Sequence, residues 1–375
     1  MTEPELIDLS KLDLPPTTLG ADLEFDERFL GNAIDHLLKI RNESVDYVVD
    51  PGTFGVLEVE NAWKLWIETQ DGMKIFEPTN WARNQTIGVT ELPRKYHDAL
   101  IERGHLNEAA SHINMWLDEG SPRQIRTIGE GYRALVGPSY MPFDNYDAFI
   151  QVADSLKLIN GQRTENEIPA QFKKVEISDH NMYVQIIDAN SEWDIGGGDT
   201  YKKMMIIKNS EVGDGAMLVE AGLWRSMCSN LMLHGVISRR IHKGEKLDAG
   251  IFAPDTRVKQ NELWKLIVRD SINAGITSDV LYDDILNGVI ESKEIKVEPM
   301  KAVELIATKE KLSEEDKNAI IQAMLGDSTI KETEKNTVFQ ISNGITQAAK
   351  GMGIERGREM NKLGGDIQHL IKIVA

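Results

Sequence analysis

One cysteine, Cys228, stands in 375 residues, so no intramolecular disulfide can form and the chain reads as a resident of a reducing compartment. No run approaches the roughly 18 apolar residues that a membrane span requires. The opening MTEPELIDLSKLDLPP has neither a basic n-region nor an apolar h-region, which predicts no secretory signal. Positive charge is scarce: 42 Lys and Arg stand against 60 Asp and Glu, a formal charge of -18. A chain so acidic repels nucleic acid at long range unless its charge is segregated.

Catalytic signatures are missing as well. Gly196-Gly197-Gly198 is followed by Asp199 and no Lys-Ser/Thr, so it is neither a phosphate loop nor a dinucleotide fingerprint. Ser139 and Ser210 have no nucleophile motif around them. Asp283-Asp284 and Glu314-Glu315-Asp316 fall on helical patterns, where adjacent side chains diverge by about 100°, and read as solvated faces. Cys228, His234 and His242 match no zinc spacing. The expectation is a non-enzyme with no cofactor and no metal; the competing enzyme reading is a nuclease built from scattered carboxylates.

What is present is segregated charge. Residues 1–30 hold eight acids and two bases. With Pro15-Pro16 breaking regular structure, residues 1–26 read as a flexible acidic leader. Residues 200–246 run the other way, with Lys202, Lys203, Lys208, Arg225, Arg239, Arg240, Lys243 and Lys246 against four acids. A basic island in an acidic chain is the first candidate for a polyanion site.

The pattern of the rest predicts an α+β fold: an antiparallel, strand-rich core with packed helices over 27–250, then a helical region over 251–375. RFLGNAIDHLLKIR (28–41) is an amphipathic helix, and KLWIET (64–69) alternates as a strand. Residues 93–118 read as one long helix interrupted by Gly104, and Gln124–Val136 as two strands about Gly129-Glu130-Gly131. Asp144 caps a helix from Asn145, and 172–241 carries five strands. In LHGVISRRIHKG, alternation puts Ser238, Arg240 and His242 on one face and Arg239 and Lys243 on the other. The first face is the expected phosphate groove, with Lys202 and Lys208 added from a neighbouring strand and Trp224 or Tyr132 as stacking surfaces. The competing reading is a solvated edge strand whose charges block edge pairing.

Four stretches, at 87–117, 123–149, 204–232 and 236–244, resemble a phage- and plasmid-encoded family of unknown function. The resemblance rests on Arg133-Ala134, Tyr140, Asp144-Asn145, Asn209-Ser210, Gly213, Gly215, Arg225, Cys228, Asn230, Arg240 and His242, with Leu231-Met232 departing from the small residue expected there. By analogy with phage single-strand annealing proteins, it implies a homo-oligomer that binds single-stranded DNA and promotes annealing in recombination, in the cytoplasm of a bacterial host. Lys202, Lys203, Lys208, Trp224, Arg225, Ser238, Arg239, Arg240, His242, Lys243, Arg133 and Tyr140 are its expected DNA contacts. The alternative is an assembly or host-interaction protein without a nucleic-acid site.

Overall fold

The computed structural model of the chain describes residues 27–196, 198–228, 230–240 and 254–374. The leader, His242 and Lys243 lie outside the described residues, as do the side chains of His234 and Arg240.

Alternation builds the first sheet. In β3 (Ala62–Thr69) Trp63, Leu65 and Ile67 are buried, as period-two patterning requires. It pairs with β2 (Phe54–Val59) and β4 (Gly72–Pro78), and β1 (Ser44–Val49), β5 (Arg123–Ile128) and β6 (Gly131–Val136) complete six strands in the order β1-β5-β6-β4-β3-β2. All contacts are antiparallel except β4 with β6. The helix expected over 93–118 is two. Gly104 adopts φ +81, a left-handed conformation that ends α3 (Arg94–Glu102) and lets α4 (Leu106–Asp118) start in a new direction. α2 (Asn80–Gly88) precedes them.

The second sheet is an antiparallel meander, in the order β11-β10-β9-β8-β7: β7 (Gln171–Ile177), β8 (Met182–Asp194), β9 (Thr200–Asn209), β10 (Met217–Arg225) and β11 (Asn230–Arg240). The strand-rich core is therefore two sheets, each with its own hydrophobic cluster. One face of the second sheet carries Val184, Ile186, Met205, Ile207 and Val219. It packs against α1 (Glu27–Glu43), α5 (Asn145–Asn160) and α6 (Pro254–Thr277). Further along the same face, Tyr201, Ala221, Leu223 and Met232 meet α7 (Val280–Glu294).

The C-terminal region is helical, as expected. α8 (Pro299–Lys309), α9 (Glu314–Gly326), α10 (Val338–Ala349), α11 (Ile354–Gly365) and α12 (Ile367–Val374) share a cluster around Val303, Ile320, Ile341 and Met360. Ser313 and Asp316 form a reciprocal capping box at the start of α9. Glycines let α11 approach closely: a Cβ on Gly357 would stand 2.7 Å from the Ala349 carbonyl oxygen.

Candidate nucleic-acid interface

The basic island does not act as one surface. Among the described residues, the structure divides most of the expected contacts between two buried joints and one open sheet face.

The first joint fastens the two sheets together. The β9–β10 hairpin tip, Glu211–Gly215, plugs into the six-stranded unit, where Val212 packs with Ala134 and Val136. Arg133 donates to Glu211 Oε1 at 2.5 Å, and Glu211 Oε2 accepts from the Asn145 amide at 2.9 Å. The Tyr140 hydroxyl donates to the Ser210 carbonyl at 2.9 Å and accepts from the Gly213 amide at 3.1 Å. Asn209 donates to the Phe143 carbonyl and to Asn145 Oδ1. Asp144 caps no amide with its side chain; it accepts from Arg126 at 2.9 Å instead. Arg133 and Tyr140, expected on DNA, are thus committed to this joint. A buried guanidinium whose carboxylate partner is also buried cannot leave for a phosphate without stranding that partner.

The second joint fastens the meander to the C-terminal helices. Arg225 and Asp199 are both fully buried and meet at 2.6 Å, with Lys293 on the other Asp199 oxygen at 2.9 Å. Arg225 also donates to Asn343 Oδ1 at 3.0 Å and Thr329 Oγ1 at 3.1 Å, and Asn230 donates to the Asn343 carbonyl at 3.3 Å. Lys203 is buried nearby, against the Ile276 carbonyl at 2.7 Å and Asp279 at 2.7 Å. Arg225 is therefore held away from any open surface for the same reason as Arg133, and Lys203 by its own burial and its bond to the Ile276 carbonyl, since its partner Asp279 is exposed.

The open face of the meander is the other one. The ladder sets Trp224 opposite Lys202, and Leu218 opposite Lys208 and Arg239. Cross-strand partners share a face. Two bulges in β11, at His234 and Ile237, cancel in parity. Ser238 consequently stands opposite Val219, on the side that packs against α5 and α6, while the exposed Arg239 shares the Trp224 side. The face assigned to Ser238 and Arg240 from alternation is the covered one. Arg240 stands opposite Met217 in the ladder, and its side chain lies outside the described residues, as do His242 and Lys243.

A cleft of about 460 Å³ opens between this face and the start of α11. Its floor holds Tyr183, Gln185, Met204, Ile206, Trp224 and Leu233. Its charged lining is Lys173, Lys174, Lys350 and Arg358 against one acid, Glu176. Lys173 Nζ lies 5.1 Å from the centre of the Trp224 ring, and the Arg358 guanidinium 4.6 Å from that of Tyr183. Arg358 also pairs with Glu220, and burial pulls its pKa down to about 10, which leaves it charged at neutral pH. Lys350 donates to the Cys228 carbonyl and to Gln347 Oε1, neither of them an acid. Gly353, the N-cap of α11, lines the cleft without a side-chain cap, so the positive end of the helix dipole adds to the field.

Of the expected contacts, Lys202, Lys208, Trp224 and Arg239 share this face. Lys202 is paired with Glu192 at 3.2 Å and Lys208 with Asp214 at 3.6 Å. Trp224 is only 3% exposed, so it floors the cleft and does not offer an open stacking platform. Lys173, Lys174, Lys350 and Arg358 were missed. They come from a strand in one part of the chain and helix ends about 175 residues away, and only the Lys173-Lys174 doublet left a signal in sequence.

Among the described residues, no helix is long and apolar enough to cross a membrane. Comparison with known proteins finds no matching family model, no curated relative and no similar solved structure.

Proposed function

We propose that the cleft between the meander and α11 binds the phosphate backbone of single-stranded DNA, and that the chain works as an annealing protein in the recombination of a phage or other mobile element. The observation that carries this reading is the convergence of Lys173, Lys174, Lys350 and Arg358 on one cleft in a chain of formal charge -18, with Lys174 bridged to Glu176 at 2.6 Å and Arg358 to Glu220. The resemblance to phage- and plasmid-encoded proteins supports the biological setting, a bacterial cytoplasm, and the analogy to annealing proteins supports a homo-oligomer. Strand annealing needs a backbone track and self-assembly; it requires no covalent chemistry from the protein.

Binding here is a matter of phosphates first. Lys173 and Arg358 cover the two aromatic rings, so a base reaches Trp224 or Tyr183 only by displacing a cation. The test is a salt-dependent titration of single- and double-stranded oligonucleotides against the wild type and a Lys173→Glu/Lys350→Glu double variant. Preference for the single strand and a salt slope lowered by about 0.7 per lost phosphate contact are expected. Equal affinity and slope in a folded double variant would remove the cleft from DNA binding.

A further inference from the structure

We infer that His180, Asp214 and Glu355, joined to the cleft floor through the Tyr183 hydroxyl, form a binding site for a divalent transition cation, with Zn²⁺ the ion that best suits them. The three side chains come from separate elements: the β7–β8 turn, the β9–β10 hairpin and the first turn of α11. Their ligand atoms all lie within 4.8 Å of one another. His180 Nε2 is 3.7 Å from Asp214 Oδ2 and 3.5 Å from Glu355 Oε1. Four-coordinate zinc with bonds near ~2.1 Å places neighbouring ligand atoms ~3.4 Å apart, so the spacing is close to that of a tetrahedral edge.

Two further features point to a cation. The first is the orientation of the imidazole. Its Nδ1 meets Asp179 Oδ1 at 2.5 Å, and the Trp81 ring stacks on it at 4.9 Å with planes 12° apart. A carboxylate behind the ring, on the nitrogen away from the site, is the arrangement that fixes a metal-ligating histidine. With Nδ1 turned to Asp179, the other ring nitrogen, Nε2, faces Asp214 Oδ2 and Glu355 Oε1, the placement a metal-ligating imidazole takes.

The second feature is Asn181, which has no exposed surface. Its Nδ2 reaches into the cluster, 2.5 Å from Asp214 Oδ2 and 2.9 Å from Glu355 Oε1. Its Oδ1 is buried with no hydrogen-bond partner among the described residues. Rotating the amide by half a turn brings that oxygen to the same point as a fourth donor. One imidazole with carboxylate and amide oxygens suits Zn²⁺ or Mn²⁺ better than Mg²⁺, which prefers an all-oxygen shell.

Besides the Asn181 amide and the Tyr183 hydroxyl, the groups that reach the two carboxylates do so at long range. Lys208 Nζ stands 3.6 Å from Asp214 Oδ2, and Ser178 Oγ 3.4 Å from Glu355 Oε1. A bound cation takes over the charge of Asp214 and releases Lys208 toward the sheet face. It also ties Glu355, whose other oxygen accepts from the Tyr183 hydroxyl on the cleft floor, and so clips α11 to the meander. The metal site stands without the DNA reading; its effect on the cleft is an added consequence.

The experiment is calorimetric titration of the chelator-treated full chain with ZnCl₂, MnCl₂ and MgCl₂, alongside thermal unfolding. One Zn²⁺ per chain is expected, with a higher Tm in its presence. Mn²⁺ should bind more weakly and Mg²⁺ not measurably. His180→Phe keeps a ring against Trp81 but cannot ligate, and Asp214→Asn changes one partly exposed side chain; each should abolish the saturable isotherm. Asp179→Asn should weaken binding by about 10- to 100-fold. No saturable zinc binding by the wild type, or unchanged binding by either folded variant, overturns the assignment. Should His180→Phe not fold, Asp214→Asn decides. A chain that binds zinc but not DNA keeps this site and loses the cleft reading; the reverse result does the opposite.

Discussion

Leu218 and Arg239 face one another across the β10–β11 ladder, and that pairing puts Arg239 on the side of the meander that carries the basic cleft. Ser238 falls opposite Val219, which has no exposed surface. The two residues are neighbours in sequence and lie on opposite sides of the sheet.

Substitution of Arg239 therefore tests the face. Arg239→Ala is expected to weaken single-stranded DNA binding for all sequences alike, because phosphates carry no sequence information. It should lower the salt slope by about 0.7 and change stability by less than about 0.5 kcal/mol. Ser238→Ala should leave affinity and slope where they were. Fluorescence anisotropy at three salt concentrations distinguishes the two; an effect of Ser238→Ala with none from Arg239→Ala would point to the opposite face.

Arg225 behaves differently because it is structural. Arg225→Ala leaves the buried Asp199 with Lys293 and a long bond from the Tyr201 hydroxyl, and losses of about 3–5 kcal/mol are typical when one member of a buried pair is removed. Urea unfolding monitored by circular dichroism should show a large drop in midpoint. A stable Arg225→Ala protein with weakened DNA binding would place Arg225 back among the contacts.

Acid stability is linked to Asp316 and Arg356. The Arg356 guanidinium donates to Asp316 Oδ2 at 2.6 Å, and this hydrogen bond, helped by Ser313, holds the Asp316 pKa down at about 2. An unfolded aspartate titrates near ~3.9. The depressed carboxylate thus contributes stability above about pH 4 that is lost as pH falls toward 2. Arg356→Gln should narrow that contribution, and the stability difference from wild type should shrink as pH drops through this window.

The single thiol should be slow. Burial pushes the Cys228 pKa up, and the neighbouring Arg225 guanidinium only partly offsets it. A smaller thiolate fraction at pH 8 makes Cys228 react with a disulfide reagent more slowly than a free thiol. Stopped-flow labelling of the native and urea-unfolded chain gives the comparison; equal rates would contradict it.

Much of the fold was legible because local physics wrote it. The alternation of Trp63, Leu65 and Ile67, the five strands expected over 172–241 and found from Gln171 to Arg240, and the Ser313–Asp316 cap each depend on residues a few positions apart. Of the residues singled out in the sequence, Arg133, Tyr140, Asn145 and Asn209 meet Glu211 and its hairpin at one joint, and Arg225 and Asn230 meet Asn343 at the other.

By itself, then, the sequence determined the α+β class, the strand and helix pattern, and an uneven distribution of charge. Only the tertiary structure decided which charges remain at a surface. Burial and pairing depend on what the chain brings back from far away: Asp199 to Arg225, Asp279 to Lys203, Glu211 to Arg133, and α11 to the open face of the meander. A basic residue at a given position looks the same in sequence whether a distant carboxylate will neutralise it or a cleft will leave it facing solvent. The physical reason is that a charge's role is set by the dielectric and the partners around it, and both are properties of the folded assembly of elements.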